Sequence, residues 1–380
     1  MSQLERDLRL MDSHIRIVNW RNLGHLDWLL VLLVAALAYI GLSNMYSASH
    51  GHGAGEVTAH FARHGMFLAV GTLLALILVC IDYRFLVSLA PLFYVIALAA
   101  LITTLVLRPG SRWFRIGPFG VQPSEFTKLA VIFTLAWYLS RVGPRIRKFP
   151  YLAIALAIAG IPSFLVVAQS DLGTAITFIP LAFVMVFTAG CRKWHLVALI
   201  LLGVALMPVA WMKLEPYQRD RVKTFIDPTT APADEGYQII QAKIAVGSGQ
   251  MWGKGVGQGT QTHLRFLPEY RTDFIFSLLG EERGFVGAVI VIALFTAFLM
   301  RGFMLSAECT DPAGNLLAAG CVAVLAVHVF VNIAITIHLM PITGLPLPFL
   351  SYGGSFYLTT MICVGSMLSV NVRKGMFSEK

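Results

Sequence analysis

About ten stretches of roughly 20 mostly apolar residues recur along this chain, and they leave it few ways to fold. A bilayer core of about 30 Å is crossed by roughly 20 residues of α-helix. The stretches are Trp28–Ser47, His64–Ile81, Phe85–Leu107, Gln122–Leu139, Tyr151–Ala168, Leu172–Ala189, Trp194–Met212, Gly284–Phe303, Ala313–Ile337 and Phe349–Val370. They are too long for the strands of a membrane barrel, and in lipid only a helix or a closed barrel satisfies its own backbone. Composition agrees: 57% of the residues are hydrophobic and 13% charged, about half the charge of an ordinary soluble chain. The expected fold is an all-α membrane protein of about ten transmembrane helices with a large extracytoplasmic loop between helices 7 and 8.

The net charge of +9 forms no stripe of the kind that grips nucleic acid. Basic residues instead crowd alternate short connections: Arg141, Arg145, Arg147 and Lys148 in one, Arg192 and Lys193 in another, Arg373, Lys374 and Lys380 at the end. Arg6, Arg9, Arg16 and Arg21 precede the first helix, while 48–59, 169–171 and 338–348 carry no Lys or Arg. Positive charge marks the cytoplasmic side, so both termini are expected there. Arg63 is a small exception; Arg108, Arg112 and Arg115 are clear ones, which points to a local purpose. The segment 1–27 lacks the apolar stretch and cleavage site of a signal peptide, so the first apolar run is expected to remain as an anchor. The five cysteines, Cys80, Cys191, Cys309, Cys321 and Cys363, have no metal-ligand spacing and none lies in an outer connection, which argues against a disulfide framework or a zinc site.

The division expected is 1–27 cytoplasmic, 28–212 helices one to seven, 213–283 a large periplasmic loop, 284–370 helices eight to ten and 371–380 a cytoplasmic tail. The stretch Lys213–Arg271 is far longer than an ordinary connection and rich in charge, Gly and aromatics. Its Gly-rich part, Gly247–Gln261, lacks the GK[ST] ending of a phosphate-binding P-loop, since Gly255 follows Lys254.

Ionisable residues within a membrane are costly, so each is a functional candidate. Glu125 and Lys128 stand at i and i+3 at the outer end of the fourth helix and can neutralise one another. They are either an ion pair that lets the helix insert, or a pair whose lysine faces a polar cavity and an anionic substrate. Asp171 opens the sixth helix, where a carboxylate complements the helix dipole. Asp273 follows Thr272 where the chain returns to the membrane beside Phe274 and Phe276. It reads equally as a helix N-terminal acid or as an interfacial base with a raised pKa. The segment Gly344–Phe356 is too apolar for a water-exposed turn, with Pro341, Pro346 and Pro348 nearby to stiffen it. His328 and His338 read as packed or hydrogen-bonded rather than metal-bound.

Four motifs, RWFRIGPFGVQPSEFTKLA (Arg112–Ala130), QSDLGTA (Gln169–Ala175), Trp252–Gly287 with its FLPEYRTDFIF core, and LPFLSYGGSF (Leu347–Phe356), occur in order across the helices. In this the chain resembles the SEDS family (shape, elongation, division and sporulation), and its elongation-type (RodA-type) branch more than the division type. The resemblance covers nearly the whole chain. It implies a bacterial inner-membrane glycosyltransferase that polymerises lipid II into β-1,4 glycan strands, with Asp273 at the family's catalytic carboxylate. It also implies that Glu125 and Lys128 are the functional pair of helix four; with them, Arg112, Arg115, Asp171 and Ser351 are candidates for substrate binding or electrostatic support. Ser170, Arg271, Phe356 and Gly120 depart from the family's usual residues around these positions. The energy comes from the lipid diphosphate, so no ATP site is needed; a divalent cation such as Mg can supply charge beside Lys128, Arg112 and Arg115. The implied partners are lipid II, the growing lipid-linked glycan, the elongation machinery and a class B penicillin-binding protein, since the chain has no SxxK and KTG pair of its own. A lipid II flippase and a non-catalytic scaffold for a transpeptidase are the rival readings.

Overall fold

The computed structural model describes residues 26–50, 54–107, 111–116, 119–213, 215–230, 235–263 and 266–374. The helices in chain order are α1 (Trp28–His50), α2 (Ala54–Cys80), α3 (Tyr83–Ser88), α4 (Ala90–Leu107), α5 (Pro123–Val142), α6 (Phe149–Ala168), α7 (Leu172–Thr188) and α8 (Lys193–Lys213). There follow α9 (Pro216–Ile226), α10 (Glu235–Ser248), α11 (Thr260–His263), α12 (Ile275–Glu308), α13 (Pro312–Thr336) and α14 (Gly354–Arg373). One two-stranded hairpin, β1 (Phe114–Ile116) against β2 (Phe119–Val121), precedes α5. Each expected apolar run has a helical counterpart. Among the described residues seven helices are long and apolar enough to cross a bilayer, and α7 and most of α8 are shorter apolar helices. The remaining one, α5, has 20 residues and carries Glu125, Lys128 and Arg141.

Local chemistry explains the boundaries. Pro312 sits in the first turn of α13, and the side chain of Asp311 accepts from the Gly314 N–H at 3.2 Å. Pro123 opens α5, Glu125 lies in its positive first turn and Arg141 in its negative last turn. The third run, expected to be continuous from Phe85, breaks at Leu89 just before Pro91, whose ring opposes the carbonyl one turn back. The tenth helix starts at Gly354 rather than Phe349, because Phe349 takes a left-handed φ of 64°. The eighth starts nine residues early, at Ile275 rather than Gly284, and Gly284 is instead a break within it (φ 66°, ψ −166°).

That break is covered by the Gly-rich stretch. The N–H groups of Phe285 and Val286 donate to the carbonyls of Gln250 and Met251 at 2.8 and 3.1 Å, while those of Lys254 and Gly255 donate back to Glu281 and Glu282 at 3.0 and 2.9 Å. Backbone groups orphaned by the kink are thereby paired. A Cβ on Gly253 would come within 2.2 Å of the Glu282 carbonyl oxygen, so only glycine fits this clasp. About half of the stretch Lys213–Arg271 is helical, as α9, α10 and α11.

The bundle has a centre and a rim. In their most apolar windows α13 is 78% and α14 89% buried by protein, against 17% for α4. At one end, Arg373 bridges to Asp82, Arg84 to Asp311 and Lys374 to Glu308. Arg147 donates to the Gly190 carbonyl at 3.4 Å, joining two of the basic connections. The polar residues singled out above gather at the other end.

A charged cavity at one end of the helix bundle

A cavity of about 700 Å³ opens there, lined by Glu125, Asp171, Asp273, Glu269, Arg112 and Arg63 among others. Its walls come from α2, the β-hairpin, the start of α5 and α7, the turn before α12, and the irregular stretch before α14. Asp273 is half-buried on this wall. Burial, and then the neighbouring Glu269 carboxylate, push its pKa up to about 6, against the opposing pull of Arg221 and Thr272. Phe274, not Asp273, is the helix cap, and it makes no side-chain capping bond.

Asp171 is the N-cap of α7, accepting from the Thr174 N–H at 3.2 Å. Its other oxygen accepts from the Gln122 amide at 3.1 Å, and Arg112 lies 3.5 Å away. Arg112 also donates to the Ser170 carbonyl, where Ser170 has a left-handed φ of 59°. Asp171 therefore caps its helix and also holds a half-exposed guanidinium at the cavity's edge. Arg115 lies in β1 opposite Gly120; its side chain falls outside the described residues.

Lys128 does not face the cavity. It is fully buried, donating to Glu125 Oε1 at 2.9 Å and to His328 Nε2 at 2.8 Å. A lysine ammonium has no lone pair, so His328 Nε2 accepts and its proton sits on Nδ1, which donates to the Pro346 carbonyl at 3.0 Å. The Phe356 ring closes the wall, 4.4 Å from the His328 ring and 5.5 Å from Lys128 Nζ. Glu125 lines the cavity and Lys128 stands behind it. Of the two readings of this pair, the geometry shows the internal ion pair, with the Phe356 ring beside Lys128.

Ser351 is buried and absent from the lining. It donates to the Thr272 carbonyl at 2.6 Å and accepts from the Leu347 N–H at 2.8 Å, so it supports the segment next to Asp273 rather than a substrate. Two residues escaped the sequence reading. Arg63 had shown only as a small breach of the loop-charge rule, and Asn332 had shown nothing. As expected, His328 is a hydrogen-bonded histidine. Among the described residues no three His, Cys, Asp or Glu side chains converge to hold a metal ion, so the carboxylates here do not form a cation cage. The cavity offers one carboxylate held near neutrality and two guanidinium groups. That set can take a proton from a hydroxyl while opposing the charge of an anionic leaving group.

The family model described as cell cycle protein (FTSW_RODA_SPOVE) matches residues 27–375. The chain is 36% identical over 362 residues to the peptidoglycan glycosyltransferase MrdB of Escherichia coli (strain K12), covering 93% of this chain and 96% of that protein. It is also 36% identical over 368 residues to the probable peptidoglycan glycosyltransferase FtsW of Trichlorobacter lovleyi, covering 92% and 94%. Its fold is similar to a chain in a peptidoglycan synthase complex solved to show the structural coordination of polymerization and crosslinking. There the TM-score is 0.77 at 31% identity, over 91% of this chain and 97% of that one.

Proposed function

We propose how this chain works from the premise that it belongs to the FTSW_RODA_SPOVE family of cell cycle proteins. It is a multi-pass membrane protein and a peptidoglycan glycosyltransferase, polymerising lipid II. The observation that carries the mechanism is Asp273: a half-buried carboxylate with a pKa of about 6, on the wall of a cavity that Arg63 and Arg112 also line. In its ionised form Asp273 accepts the proton of the acceptor sugar's 4-hydroxyl. The oxygen forms a bond to the donor sugar's C1. The bond from C1 to the diphosphate breaks, and its electron pair leaves with the lipid diphosphate. Attack from the face opposite an α-linked diphosphate gives a β-1,4 bond, with inversion. Arg112, held by Asp171, and Arg63 oppose the charge of the departing diphosphate. Glu125 and Lys128 act from within the wall, as a neutral pair that keeps its shape.

The strands made here need a transpeptidase to crosslink them, and a class B penicillin-binding protein is that partner, as the coordination of polymerization and crosslinking in the similar complex supports. The MrdB relative and the Trichlorobacter lovleyi FtsW relative are both 36% identical, so the role in elongation rests on the FLPEYRTDFIF form of the motif. The basic connections Gly143–Lys148 and Gly190–Lys193 support a cytoplasmic placement of that end and of both termini, in the inner membrane. The segment 213–283 and the cavity then face the periplasm, where the sugars of lipid II are presented.

The test is polymerisation from lipid II by the protein reconstituted in liposomes. Asp273→Asn, at equal membrane abundance, is expected to lower the rate by about 10²–10⁴-fold. A near-normal rate removes Asp273 as the base, and lipid movement without glycan chains moves the assignment to a flippase.

A further inference from the structure

We propose that Asn332 is a positioning residue for this reaction, fixing the place of the segment that carries Asp273. The inference rests on the reading of Asp273 as the base. Residues 271–274 form a turn outside any helix, and their N–H groups serve that turn itself: those of Asp273 and Phe274 both donate to the Glu269 carbonyl at 3.2 Å. The carbonyls of Arg271, Thr272 and Asp273 are each held by a residue from elsewhere in the chain. Arg271 accepts from the Tyr352 N–H at 2.9 Å, Thr272 from the Ser351 hydroxyl at 2.6 Å and Asp273 from the Asn332 amide at 3.0 Å.

Asn332 differs from the other two anchors. It sits on α13, the most buried but one of the spanning helices, and is itself fully buried. Its second donor reaches the Leu345 carbonyl at 2.8 Å, between Gly344 and Pro346 of the cavity wall. One side chain thus ties the base's own carbonyl to the wall beside it. One turn earlier on the same face, His328 holds the next carbonyl, that of Pro346. The Asn332 oxygen finds no hydrogen-bond partner among the described residues. A buried amide with an orphaned oxygen is costly, and an apolar side chain of the same shape would avoid that cost while losing both donors. What only the amide supplies is the pair of bonds to the carbonyls of Asp273 and Leu345.

The experiment compares Asn332→Leu, which keeps the shape and removes both donors, with Asn332→Gln, which keeps them on a longer arm. Both are measured in liposomes over a range of lipid II concentrations, with thermal unfolding alongside. A misplacement near 1 Å costs up to about 100-fold in rate, so kcat of the Leu variant is expected to fall about 10–100-fold. KM for lipid II should stay within about twofold, because no group that touches substrate has changed. The Gln variant should recover most of the loss. An unchanged kcat in the Leu variant, a loss expressed in KM, or a Gln variant as impaired as Leu overturns the proposal. If Asn332→Leu is not recovered from membranes, Asn332→Ser is measured in its place against the same criteria. Asp273→Asn separates the two readings. Should it polymerise normally, the base assignment fails; should it be inactive while Asn332→Leu keeps its kcat, only the positioning role falls.

Discussion

Lys128 and Asp273 stand on two sides of one aromatic wall, and the fold treats their charges in opposite ways. Lys128 is sealed from the cavity by Phe356, paired at 2.9 Å with Glu125 and hydrogen-bonded at 2.8 Å to a histidine whose other nitrogen is also engaged. Asp273 is given a half-buried site and a like-charged neighbour in Glu269, which outweigh the pull of Arg221, and its proton affinity rises. A charge held between close partners makes a scaffold; a carboxylate whose pKa is raised to about 6 can change state and makes a base. Both positions break the same rule against ionisable groups near the membrane. Their surroundings tell them apart, and those surroundings come from residues distant in sequence.

The largest expected effect tests the sealed side. Lys128→Met leaves Glu125 buried without its cation, which costs roughly 3–5 kcal/mol. Thermal unfolding in detergent should show a marked loss, and polymerisation should fall with it. Glu125→Gln combined with Lys128→Met removes both charges and should recover most of that stability. If the double variant also polymerises normally, the pair serves insertion and packing alone, and the contrast with Asp273 becomes complete.

The open side is tested by pH. The Asp273 carboxylate works as a base when ionised, and with a pKa of about 6 it is ionised above that pH and protonated below it. The rate should therefore drop as pH falls through 6, by about tenfold between pH 7 and 5. An ordinary carboxylate would break about two units lower. A rate that holds down to pH 5 in the wild type would mean that the surroundings do not tune Asp273 as described.

The smallest effect sharpens the comparison with a third pair. Arg112 and Asp171 are 3.5 Å apart, but 41% of the arginine side chain is exposed. Solvent screens such a pair, so Arg112→Gln should cost less than about 1 kcal/mol of stability. Its effect should appear in polymerisation instead, as a lower kcat. A stability loss as large as that of Lys128→Met would place Arg112 with the scaffold.

How much of this was legible in the sequence follows from the range of the interactions involved. Helix positions were legible because lipid imposes a length and an apolar surface on each, and the run at Leu172 ended within one residue of its expected place. Asp171 and Asp273 stood out as candidates because each is a carboxylate at the edge of an apolar run, and spacing alone left Asp273 open between a helix N-terminal acid and a base. The Gly284 break was not legible, since a glycine at the start of an apolar run gives no sign that a Gly-rich stretch about 30 residues earlier covers it. The burial of Lys128 was not legible either. It depends on Phe356 and His328, each about 200 residues away in the chain. Asn332 looked like one polar residue in an apolar helix, and its role follows only from which carbonyls it meets. Arg112 left a clear early trace, by breaking a charge rule that most of the short connections obey, whereas Arg63 broke it only slightly.

The clasp between the Gly-rich stretch and the Gly284 kink has a consequence for hydrogen exchange. Trp252 is 80% and Met251 55% exposed, so side-chain accessibility marks this stretch as surface. Yet the amides of Lys254, Gly255, Phe285 and Val286 are bonded across the clasp. Exposed side chains here overlie backbone that deuterium should reach slowly. Because each strap needs the others in register, these four amides should become labelled together at one shared rate, as a single opening unit. The last turns before Gly284 belong to the helix that follows Asp273, so the opening of the clasp and the opening of that helix should be one event, read on one clock.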